Sequence, residues 1–146
     1  MLKKKWMWII VLIYTGLIFN NSLKSGEVSG GLSASITKVV FNFLLSLKIQ
    51  ASFSSLHHFI RKLAHFSEFF LLSVFVQIAV KFQPLLKNRN LNILLFMLIV
   101  PCIDETIQLF VPGRAGLLQD ALLDMSGFAL AWLIGGEIAH IRKNRT

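Results

Sequence analysis

Long apolar runs separated by short basic clusters leave this chain few ways to fold. Four stretches, at about residues 6–21, 59–80, 91–111 and 117–138, are apolar enough to span or nearly span a bilayer, which takes roughly 20 helical residues. In lipid, every backbone N–H and C=O must be satisfied within the protein, so such runs fold as helices. Charged residues make up only 15% of the 146-residue chain, against roughly 25% in a soluble domain. That is too little polar surface for a water-soluble fold of this size. The reading is an all-α integral membrane bundle of four transmembrane helices, one domain over residues 1–146.

The formal charge of +8 does not point to nucleic acid, because the cations cluster between apolar runs and form no basic face. Their placement orients the bundle instead. With the N-terminus cytoplasmic, four spans return the C-terminus to the same side. Lys3, Lys4, Lys5, Lys81, Lys87, Arg89, Arg142, Lys143 and Arg145 then lie at cytoplasmic helix ends, as the positive-inside bias requires. The first run is short and also has the basic start of a signal peptide. Asn20, Asn21 and Ser22 follow it instead of a small-x-small cleavage site, so it is read as a retained helix. Pro101 is expected to kink the third span. Cys102, the single cysteine, lies in an apolar run and is expected to be a buried, inert thiol.

Between spans one and two, Leu32, Ile36, Val39, Val40, Phe43, Leu44 and Leu47 follow helical spacing. Ser35, Lys38, Asn42 and Ser46 fall largely on the other face. An external amphipathic helix is expected here, lying on the outer leaflet or packed as a lid over the bundle. Trp6 and Trp8 read as interfacial anchors, and Trp132 as packed against lipid or a neighbouring helix. Glu137 and His140 read as a solvated pair at the cytoplasmic exit of span four.

The ionisable residues gather near the outer face. Span two enters with Arg61, Lys62, His65 and Glu68, of which Arg61, His65 and Glu68 share one helix face. Glu68 is placed nine residues after Phe59, about 13 Å along the axis. Span three ends with Asp104, Glu105 and Gln108, and span four begins with Asp120 and Asp124. Arg114 lies in the Pro112-Gly113-Arg114 turn between them. Charges in hydrocarbon cost about 2.5–3.5 kcal/mol each, so they face inward and pair. The stripe Asp120, Asp124, Gly127, Ala131, Gly135 therefore reads as a packing face, since small residues let membrane helices approach closely. Two accounts stay open: an ion-pair network in which Arg61 and Arg114 neutralise carboxylates across helices, or a binding or catalytic site. Five carboxylates facing three fixed cations favour a site, relieved by protonation, a metal ion or a cationic ligand. A metal site at His57, His58 and His65 has no diagnostic spacing, and Ser22 and Ser25 have no partnered base.

Three blocks resemble the VanZ-like family of small bacterial membrane proteins. They are Phe19-Asn20-Asn21-Ser22-Leu23-Lys24-Ser25, Arg61-Lys62-Leu63-Ala64-His65-Phe66-Ser67-Glu68-Phe69, and Asp104 through Arg114 followed by Asp120, Asp124 and Gly127. Phe69 departs from the tyrosine usual in that family. The resemblance implies a place in the bacterial cell membrane and a role at the envelope, and its namesake is linked to resistance to teicoplanin-type glycopeptides. It brings no settled reaction. On this footing the expected partner is an anionic lipid-linked envelope intermediate at the outer leaflet. The carboxylates would hold a divalent cation such as Mg²⁺, and Arg61 and Arg114 would hold phosphate oxygens, with Lys62, Gln108, Asp120 and Asp124 lining the same site. His65 and Glu68, beside Asp104 and Glu105, are the candidate acid-base groups. The alternatives are a non-enzymatic envelope interaction protein whose cluster is structural, or a proton-coupled transporter. Against the transporter, the inner half offers little beyond Gln77.

Overall fold

The computed structural model describes the backbone of residues 6–143 and the side chains of residues 6–138. Lys3, Lys4, Lys5 and Arg145, and the side chains of His140, Arg142 and Lys143, lie outside the described residues. Within them the chain is all-helical: α1 (Trp6–Ser22), α2 (Gly26–Ser46), α3 (Phe53–Phe82), α4 (Arg89–Leu109) and α5 (Leu118–Lys143).

The expected spans correspond to α1, α3, α4 and α5, with one shift of boundary. α3 starts at Phe53, six residues before the apolar window, so Glu68 lies at its middle and not near its entrance. Ser54, Ser55, His57 and His58 dilute hydrophobicity there, but none of them breaks a helix. Pro101 is buried and lies within α4 without ending it. Asn88 caps α4, its side chain accepting from the N–H groups of Asn90 and Leu91. Asn92, also buried, binds Leu86 through both its N–H and its carbonyl, and this fixes the α3–α4 link.

By length and apolarity, the helices able to cross a membrane are α2, α3, α4 and residues Leu118–Ile138 of α5. α1, at 17 residues among those described, falls just short. Helix direction settles how they alternate. Trp8 at the start of α1 donates its indole N–H to the carbonyl of Gln83, just past α3, at 2.8 Å, and its ring packs on Phe96 of α4. Ser22, at the other end of α1, meets Asp104 of α4. Along α3 and α5, Lys62 meets Asp120 while Gln77 meets Ala131. Thus α1 and α4 run one way, and α3 and α5 the other. A crossing by α2 would start α3 at the opposite end of the bundle. Instead α2 leaves and returns at the end carrying the polar cluster, as an appended helix.

The packing of α2 differs from that of a lid held by its apolar face. Leu32, Ile36, Val39 and Phe43 are exposed, and the half-buried face toward α3 carries Ser29, Gly30, Ser33, Ala34 and the fully buried Thr37. Ser33 and Thr37 donate to the carbonyls of Ser29 and Thr37's own preceding turn at Ser33, both at 2.7 Å, so their hydroxyls are satisfied without a partner helix. Small residues allow the close approach, and the apolar stripe is left for lipid.

The apolar core joins Val11 and Ile18 to Phe69, Leu72, Val76, Val80, Ile93, Val100 and Phe128, with Trp132 packed against it. Phe69 is fully buried there, where a tyrosine hydroxyl would need a partner. Cys102 reverses its expectation: it is exposed, because in a membrane the lipid, and not only the protein interior, takes up apolar faces. Trp8 likewise does more than sit at an interface. Trp8→Phe keeps a ring against Phe96 but removes the donor to Gln83. It is expected to cost about 0.5–1.5 kcal/mol, seen as a lower midpoint in thermal unfolding. An unchanged midpoint would mean that this bond does not hold α1 to α3.

Candidate functional site

Four helix segments deliver polar side chains to one end of the bundle. The end of α1 contributes Asn21 and Ser22, α3 contributes Arg61, Lys62, His65 and Glu68, and α4 contributes Asp104, Glu105 and Gln108. Asp120 and Asp124 come from the first turns of α5. Their approach depends on glycines. A Cβ on Gly127 would overlap the carbonyl oxygen of Phe66, and one on Gly135 would overlap the side chain of Gln77. At the turn, Gly113 has φ +73°, and Gly26 N–H donates to the Pro112 carbonyl at 3.0 Å. That φ suits glycine, and it lets the turn sit directly against the start of α2.

The carboxylates are held in different ways. Asp104, fully buried, accepts from Ser22 Oγ at 2.6 Å and from Gln108 Nε2 at 2.9 Å. Glu105 accepts from the Leu117 N–H at 2.9 Å, which ties α4 to the entry of α5. Glu68 accepts from Asn21 Nδ2 at 3.0 Å, while Lys24 donates to the Asn21 carbonyl oxygen of the side chain at 2.8 Å. Asp120 pairs with Lys62 at 3.0 Å. Asp124 is fully buried, with His65 Nδ1 3.8 Å away.

The cross-helix arginine ion pairs of the first of the two accounts left open are not formed among the described residues. Arg114 donates from Nη2 to the Asn21 carbonyl at 2.9 Å and from Nε to the Lys24 carbonyl at 3.3 Å, so it ties the turn to the end of α1. Burial, and then the neighbouring Arg61 guanidinium, push its pKa below the ordinary arginine value. Among the described residues, Arg61 has neither an ion pair nor a hydrogen bond. The acids that act on Arg114, namely Asp104, Glu105 and Glu68, accept instead from Ser22, Gln108, the Leu117 N–H and Asn21.

Two cavities flank Arg61, His65 and Arg114. One, of about 180 Å³, lies between α2 and α3 and adds Asn21, Lys24, Ser33, Ile36 and Glu68. The other, of about 230 Å³, lies between α3 and the α4–α5 turn and adds His58, Lys62, Gln108 and Asp120. All ten residues singled out in the sequence therefore fall in one region. Asn21, Ser22 and Lys24 were missed as members. They close an apolar run in sequence, and only the direction of α1 shows that this end meets Glu68 and Asp104. Lys24 also raises the local cations to four. His57 faces Gly30 instead, its Nε2 3.2 Å from that carbonyl.

No curated protein and no solved structure is detectably similar to the chain. The VanZ/LLP1 family profile matches residues 6–138, which takes in all five helices apart from the last residues of α5 and every residue of the polar cluster. With that span and this arrangement, the chain belongs to the VanZ/LLP1 family.

Proposed function

We propose that this membrane protein binds a phosphate-bearing, lipid-linked component of the bacterial envelope at the outer face of the cell membrane, with both termini cytoplasmic. The observation that carries the reading is Arg61, a guanidinium lining both cavities with no protein acceptor, close to Arg114, Lys24 and Lys62. Guanidinium groups match phosphate oxygens in a two-pronged geometry. A cation unpaired near a bilayer gains most from an anionic ligand. Binding of this kind would shield an envelope intermediate and lower susceptibility to teicoplanin-type glycopeptides.

Arg61→Ala is expected to weaken binding to vesicles containing a polyprenyl phosphate at least about tenfold, or 1.4 kcal/mol, while leaving the unfolding midpoint near wild type. Binding equal to wild type would remove the proposal. In a glycopeptide-sensitive Gram-positive host, wild type should protect against teicoplanin and Arg61→Ala should not, at equal membrane abundance. A second reading, a non-enzymatic interaction protein with a structural cluster, draws support from Asp104, Glu105 and Glu68, each bonded to a neighbouring segment. It expects Arg61→Ala to protect as well as wild type.

A further inference from the structure

Behind His65, three helices bring one imidazole nitrogen and two carboxylates to the same buried point. Asp124 of α5 is fully buried, and neither of its carboxylate oxygens has a hydrogen-bond partner; Nδ1 of His65 on α3 also lacks one. Their separation of 3.8 Å is too long for a direct hydrogen bond. Asp104 of α4 completes the group: one ligand atom from each of the three residues lies within 4.8 Å of the others. A buried carboxylate with both oxygens bare is costly; a proton offsets that cost at Asp124 alone, whereas a cation offsets it for all the side chains that converge here.

We infer that His65, Asp104 and Asp124 form a binding site for a divalent first-row transition ion, of the Zn²⁺ or Mn²⁺ class. Ligand atoms about 2.0–2.2 Å from a metal stand about 3.4 Å apart in a tetrahedral shell, so small side-chain rotations close the present spacing. The donor set is one imidazole nitrogen and two carboxylates. Imidazole suits zinc and its neighbours, whereas Mg²⁺ takes oxygen ligands. Two carboxylates and a divalent ion also make a unit with no net charge, which suits a buried position. Asp104 is already oriented by Ser22 and Gln108, as metal-binding carboxylates are by hydrogen bonds from outside the coordination shell. Three protein ligands leave a coordination position open. The inference goes beyond the anionic-ligand reading and does not depend on it.

The test uses the full chain in detergent, stripped with chelator and dialysed against Zn²⁺, Mn²⁺ or Mg²⁺ with no lipid ligand present. Bound metal and the unfolding midpoint are measured together. The expected result is about one Zn²⁺ or Mn²⁺ per chain and a raised midpoint, with Mg²⁺ producing neither. His65→Ala and Asp124→Asn should each lower retained metal more than about tenfold, and Asp120→Asn, paired with Lys62, should retain it. Because Asp124→Asn removes a bare buried carboxylate, its midpoint in chelator should be no lower than wild type, which separates loss of metal from loss of fold. A folded wild type that retains neither transition ion would overturn the site and leave a bridging water in its place. Binding of Mg²⁺ alone, or wild-type metal content in Asp124→Asn, would overturn it as well.

Discussion

Gly127→Leu is expected to prevent the bundle from assembling, with little folded protein recovered from membranes. Gly127→Ala should already lower stability by about 1–3 kcal/mol, as overpacking does. The reason is the obstacle: an added Cβ meets the backbone carbonyl of Phe66, which cannot rotate aside as a side-chain tip could. The α3–α5 contact would have to open, which separates Lys62 from Asp120 and His65 from Asp124. Gly136 is the control, since a Cβ there meets nothing within 4 Å. Gly136→Ala should be neutral or stabilising, because alanine favours the helix by about 1 kcal/mol over glycine. Thermal unfolding of the purified variants checks both. Equal midpoints for Gly127→Ala and wild type would contradict the close approach of α3 and α5.

Arg114→Ala should produce the second large loss, about 2–4 kcal/mol, because it removes two hydrogen bonds from a charged donor to half-buried carbonyls. Those carbonyls lie at the end of α1, for Asn21, and in the short link to α2, for Lys24. Without the guanidinium, the link is freed, and Asn21 loses its hold beside Glu68. Trypsin cleavage after Lys24 should then become faster, giving a local readout besides the unfolding midpoint. Arg114→Lys should not rescue, since an ammonium cannot reach both carbonyls with a planar fork. A variant as stable as wild type and as resistant at Lys24 would show that the turn is held by other contacts, such as Gly26 to Pro112.

Most of the architecture was legible because hydrophobicity and charge act on it directly. The four apolar runs are helices, and the carboxylate-glycine stripe of α5 does face α3, since Gly127 and Gly135 touch Phe66 and Gln77. What was not legible depends on partners distant in sequence. Pairing Arg61 and Arg114 with acids is sound charge chemistry. It was one of two accounts left open, and the described residues show Asp104 and Glu68 accepting from Ser22, Gln108 and Asn21 instead. Cys102 was placed inside by a rule for soluble cores, where apolar means buried. The start of α3 was placed late because Ser54, Ser55 and the two histidines lower hydropathy without opposing helix formation.

The polar end of α1 has a consequence for the bilayer itself. Charged side chains held at membrane depth are relieved by local thinning and by water drawn in from the headgroup region. Asn21 and Ser22 meet Glu68 and Asp104 there, so the leaflet around this end of the bundle is expected to be thinner and wetter than the leaflet around the apolar core.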